Sequence, residues 1–110
     1  MTSAQIAVHY STSFIKEVLD SKILWNNIDY FVLMTCTSGG NSILASTIIP
    51  KDTIILGSGH TYETIYAGEP GTYKSYVYFT YENSNYYYYT RCANSTYGTV
   101  ILRVYYRTFI

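Results

Sequence analysis

At 110 residues, with 48% hydrophobic and 13% charged side chains, the chain suits one domain with one core and is too apolar to stay disordered. Seven basic and seven acidic residues cancel, and no stripe of Lys or Arg gathers anywhere, which excludes a phosphate-gripping, nucleic-acid-binding surface. No run approaches the roughly 18 apolar residues that a membrane-spanning helix needs, and Met1 to Ser13 lacks the basic start and apolar run of a secretion signal.

In chain order, the first 27 residues carry two signals. Phe14, Ile15, Val18 and Leu19 have helical spacing, whereas the alternation in Gln5 to Tyr10 and the β-branched content favour strands, the reading adopted here. Ile28 to Thr37 is apolar on both alternating faces, with Ile28, Tyr30, Val32 and Met34 on one and Phe31 and Leu33 on the other. That pattern predicts a central strand covered on both sides. Ser38-Gly39-Gly40-Asn41 predicts a hairpin turn into a return strand, Ser42 to Ile49, which stops at Pro50. A short strand is predicted over Thr53 to Leu56, then a turn at Gly57-Ser58-Gly59-His60. Further strands follow at Thr61 to Tyr66, Tyr73 to Tyr81 and Tyr86 to Cys92, the last two joined across Glu82-Asn83-Ser84-Asn85. The closing strand, Thr99 to Phe109, sets Val100, Leu102, Val104 and Tyr106 on an apolar face. Its other face mixes Ile101, Arg103, Tyr105, Arg107 and Phe109. Short strands between regular turn signals predict a single all-β domain over residues 1–110, an antiparallel β-sandwich of jelly-roll type.

Signals for chemistry are thin. His9 and His60 are too few and too far apart to announce a metal site, and the seven acids scatter among turns and strand ends. Gly57-Ser58-Gly59-His60 lacks the strand–turn–helix context of a nucleophile loop. No catalytic residue, metal or cofactor is expected. Cys36 and Cys92 fit no metal or redox spacing and read as buried, reduced thiols, with a disulfide between them left open. Asn94-Ser95-Thr96 is a glycosylation sequon in form and reads as a turn.

Fifteen tyrosines remain to be placed. A domain this size cannot bury so many phenol hydroxyls, so some must lie on an exposed face or an interface. Strand alternation sends Tyr86 and Tyr88 one way and Tyr87 and Tyr89 the other, one pair towards core or interface and the other outward. With the Asn-rich turns beside them, Tyr73, Asn83, Asn85, Tyr87, Tyr89, Asn94 and Tyr97 form the candidate ligand surface. Rings stack on sugar faces while amides meet hydroxyls. Ile101, Arg103, Tyr105, Arg107 and Phe109, on the mixed face of the closing strand, form the candidate subunit interface.

The opening IAVHYSTSF, the Tyr-bearing NNIDYFVLM, the hairpin CTSGGNSILASTIIP and the closing NSTYGTVILRVYY, spanning roughly Ile6 to Tyr106, are together similar to the C-terminal receptor-binding domains of phage tail fibres. The chain departs from that pattern in its closing strand, where Val104-Tyr105-Tyr106-Arg107 has no glycine. The resemblance implies a homotrimeric sandwich at the tip of an extracellular virion fibre that recognises a bacterial surface glycan or protein without catalysis. A structural virion or capsid protein, with its tyrosines packing subunits, is the alternative from another class. A small enzyme or inhibitor is the third.

Overall fold

The computed structural model describes residues 1–37, 42–69, 71–93 and 98–108. Eight strands carry the fold: β1 (Thr2–His9), β2 (Ile15–Val18), β3 (Ile28–Thr37), β4 (Ile43–Pro50), β5 (Tyr62–Ala67), β6 (Thr72–Glu82), β7 (Asn85–Cys92) and β8 (Gly98–Tyr106). They form two antiparallel four-stranded sheets. Sheet A has the order β1-β8-β3-β4 and sheet B the order β2-β7-β6-β5. The all-β sandwich predicted from sequence is the fold. First strand pairs with last, and second with next to last, while β3–β4 and β5–β6–β7 are joined as neighbours along the chain.

Alternate residues of each strand meet between the sheets. Phe31 and Leu33 of β3, Val77 and Phe79 of β6, Tyr88 and Cys92 of β7, and Val100, Leu102 and Val104 of β8 are buried there. The even positions of β8 are therefore the core face, as its alternation predicts. Tyr88 also ties the layers with a polar bond, its hydroxyl donating to the Ile6 carbonyl at 2.7 Å. Thr47 of β4 and Thr64 of β5 share a hydroxyl–hydroxyl hydrogen bond, with Thr64 buried. Thr35 and Ser75 bury hydroxyls that find no partner among the described residues.

Two local readings need correction. Ile28 does not share a face with Tyr30, Val32 and Met34. The β3–β8 register slips between Ile28 and Tyr30, and this irregularity turns Ile28 into the core. No strand forms over Thr53 to Leu56. After Pro50 the chain makes a single 3₁₀ turn, Lys51–Thr53, and the Ile55 N–H donates to the Tyr62 hydroxyl at 2.9 Å. A side chain thus satisfies a donor that a strand would have given to its neighbour. Of the two signals in the first 27 residues, the strand reading is the one the structure takes: Ile15 to Val18 pairs with Thr90 to Tyr87 of β7.

The Gly57 turn forms as predicted, with the His60 N–H donating to the Gly57 carbonyl at 3.1 Å and Gly57 at φ +120°, where a side chain would be strained. The predicted turn Ser38-Gly39-Gly40-Asn41 and the sequon Asn94-Ser95-Thr96 lie outside the described residues. Cys36 and Cys92 are free and buried. They sit in different clusters, Cys92 between the sheets and Cys36 with Met34 and Ile101 on the far side of sheet A.

Candidate functional site

The outward face of sheet B is the aromatic one. Register places Tyr78 opposite Tyr89, Tyr76 opposite Arg91 and Thr80 opposite Tyr87, with Lys16 of β2 opposite Tyr89 on the other side. Tyr78 and Tyr89 stack ring to ring at 4.3 Å and 6°. Phe14 meets the Tyr78 ring edge-on at 4.9 Å. Two cations lie over these rings: Arg91 is 4.2 Å from the Tyr76 ring centre, and Lys16 is 4.3 Å from that of Tyr87.

Side chains stand roughly perpendicular to a sheet. A face-to-face Tyr78–Tyr89 pair therefore offers phenol tips and ring edges outward instead of a flat table. The face is a row of hydroxyl-tipped ridges.

Glu82, at the end of β6, organises one border. It accepts hydrogen bonds from the Thr80 hydroxyl at 2.7 Å and the Tyr89 hydroxyl at 3.0 Å. Lys16 lies 3.4 Å from its other oxygen. Those two hydroxyls, then Lys16, hold the Glu82 carboxyl below its ordinary range. Tyr89 and Glu82 in turn raise Lys16. Burial, then the acidic neighbours Tyr89 and Glu82, push the Tyr78 phenol up. Arg91 makes no ion pair among the described residues, and its guanidinium lies against the rings of Tyr76 and Phe14.

Of the residues the sequence points to, Tyr87 and Tyr89 stand on this face, and Asn83 and Asn85 sit exposed at the β6–β7 turn that borders it. Tyr73 does not join them. Odd positions of β6 point inward, and Tyr73 is only 4% exposed, so it serves packing and cannot meet a ligand. Asn94 and Tyr97 lie outside the described residues. Tyr76, Tyr78 and Arg91 were not singled out from sequence, although alternation through Tyr73 to Tyr81 puts the first two together.

The outward face of sheet A holds the candidate interface. Its rows run Ser3–Tyr105–Tyr30–Pro50, Gln5–Arg103–Val32–Ile48 and Val8–Ile101–Met34–Ser46 across the four strands. Tyr30 and Tyr105 stack at 4.6 Å. Ile48 is 62% exposed and Val8 53%, so apolar surface lies open at both edges of the face. Arg103 and Tyr105 belong here. Ile101 does too, but Met34 and its other neighbours already bury it within the chain. Arg107 leaves the ladder to pair with Asp29 at 3.2 Å, and Phe109 lies outside the described residues.

A third feature is a cleft at the β6–β7 turn. Trp25, in a 3₁₀ turn before β3, stacks on Tyr86 at 4.2 Å and 3° beside Tyr81. Sequence reasoning passed over Trp25, because an aromatic in an irregular segment has no periodicity to place it.

Both nitrogens of His9 are engaged. Nδ1 accepts from the Ser11 N–H at 3.2 Å, so Nε2 holds the proton and donates to the Thr90 hydroxyl at 2.7 Å. Burial lowers its pKa. Among the described residues no three His, Cys, Asp or Glu side chains gather as metal ligands, and no helix is long and apolar enough to cross a membrane. Comparison with protein-family models, curated proteins and solved structures finds no match for this chain.

Proposed function

We propose that this domain is a non-catalytic binding module that recognises a glycan or protein on a bacterial cell surface, as the tip of a phage tail fibre does, and that it works as a homotrimer. The observation that supports this reading best is the outward face of sheet B. Tyr76, Tyr78, Tyr87 and Tyr89 stand there on one sheet with Lys16, Arg91 and Glu82 among them and Glu63 of β5 opposite Tyr76. Uncharged donors and acceptors set among apolar ring edges suit a sugar or polar peptide surface. Arg91, free of a carboxylate partner among the described residues, adds affinity for an acidic group on the ligand. His9 is engaged in structural bonds through both nitrogens, which argues against an acid–base role for it.

The test is binding of the intact protein to an array of bacterial surface polysaccharides and to whole cells. Saturable binding that falls about tenfold or more in Tyr87→Ala and Arg91→Ala supports the reading. About 1.4 kcal/mol, within reach of one aromatic or charged contact, corresponds to that factor. Binding that neither substitution changes would move the function off this face.

The alternative, a structural virion subunit, draws on the open apolar surface of sheet A, where Ile43, Ile48 and Val8 face water. Self-assembly without any glycan or cell binding would favour it.

A further inference from the structure

The segment from Leu19 to Trp25, which leads from β2 to β3, lies against the β6–β7 hairpin and leaves a cleft of about 250 Å³ between them. Its walls are held before any ligand arrives. The Leu19 N–H donates to the Tyr86 carbonyl at 2.8 Å, and the Ile23 N–H to the Asp20 carbonyl at 2.9 Å. Asp20 Oδ1 accepts the Lys22 N–H at 2.9 Å. The Trp25–Tyr86 stack closes one side, and the Tyr81 ring, 53% exposed and tilted 51° to Tyr86, forms another. Asp20, Ser21, Ser84 and Asn85 supply polar groups around the same space.

We infer that this cleft binds a single uncharged sugar ring. Three properties select that class. The volume lies under the roughly 300 Å³ at which sites enclosing drug-sized ligands begin, so the cleft seats one ring and any further residue of the ligand lies outside it. The only charged residue lining the cleft is Asp20, so an acidic sugar or a phosphate would meet repulsion without a compensating cation. Finally, the aromatic walls are joined by four hydrogen-bonding side chains. A polyhydroxylated ring uses both, its C–H face on an aromatic ring and its hydroxyls on Asp20 Oδ2, Ser21, Ser84 and Asn85. A quaternary ammonium would use only the rings, and the parallel Trp25–Tyr86 pair does not enclose a space as a cage does. The cleft adjoins the tyrosine face at the β6–β7 turn but is lined by none of that face's four tyrosines or its cations, so its own substitutions test it separately.

Trp25 is the chain's one tryptophan, so indole emission reports on the wall of this cleft and the core rings Phe31 and Phe79 behind it, and not on the tyrosine face. The intact protein is titrated with glucose, galactose and N-acetylglucosamine, and in parallel with glucuronate and choline. The expected result is a saturable change in emission with at least one neutral sugar at millimolar concentration, and a weaker response to glucuronate and choline. Tyr81→Ala is expected to weaken the binding about tenfold. Asp20→Asn, which keeps the acceptor for the Lys22 N–H and removes the charge, is expected to weaken it several-fold. Ile65→Ala, on the exposed side of β5 and away from the cleft, is expected to leave it unchanged. The inference is overturned if no neutral sugar gives a saturable response, or if choline or glucuronate binds more tightly. It is equally overturned if the response survives both cleft substitutions.

Discussion

His9 closes the seam between the sheets, its imidazole on β1 and its hydroxyl partner Thr90 on β7. The ring is held neutral, and burial depresses its folded pKa below the ordinary 6.5. An unfolded chain therefore binds the proton first as pH falls, and stability declines below about pH 6.5 as the unfolded state gains protons that the folded state resists. Denaturation midpoints measured at successive pH values should fall through this window in the native protein. The fall should be smaller in His9→Gln, whose amide keeps a donor without titrating. Glu82, with its lowered pKa, and Glu17, raised by burial, are common to both proteins, so the difference isolates His9. Nothing in the sequence placed this residue. Its neighbour Thr90 is 81 positions away, and only the packing of sheet A on sheet B brings them together.

The β6–β7 hairpin shows at the scale of an element what sequence can and cannot decide. Glu82-Asn83-Ser84-Asn85 reads as a turn and is one, with Asn83 at φ 51° and Ser84 at φ 68°, the two positive angles of a type I′ turn. Asn tolerates that conformation and Ser does not. Ser84→Gly should raise stability by up to about 1 kcal/mol, seen as a higher urea midpoint at unchanged slope. The same hairpin explains why the candidate face was half legible. Alternation separates Tyr86 and Tyr88 from Tyr87 and Tyr89, but period two alone does not say which set faces in. Tyr73 was misplaced for that reason. Ile28 was misplaced for another, since a register slip breaks the alternation on which the reading depends. The strand expected at Thr53 to Leu56 had the right composition and lacked a neighbour to pair with.

At the scale of the molecule, the outward face of sheet A is where the proposed assembly can be tested. Ile48, more than half exposed, sits beside Val32 in the row that carries Arg103. If that face meets other copies, light scattering should give a stable mass near three times 12.6 kDa across a range of concentrations. Ile48→Lys should then reduce it to a monomer with unchanged circular dichroism, because the side chain contributes little to the chain's own core. A native protein that is monomeric at every concentration would remove the trimer and leave the open isoleucines unexplained.

The placement of β8 has a consequence for how the protein is made. The last strand in the chain lies between β1 and β3, and in sheet A it is their only link. The β5–β6–β7 meander joins strands adjacent in sequence and can close early, with little loop entropy to overcome. Sheet A must wait, with Phe31 and Leu33 still uncovered by β8, until Gly98–Tyr106 has been made. A chain cut before Gly98 would not lose a frayed end. It would lose the strand that joins the two halves of a sheet.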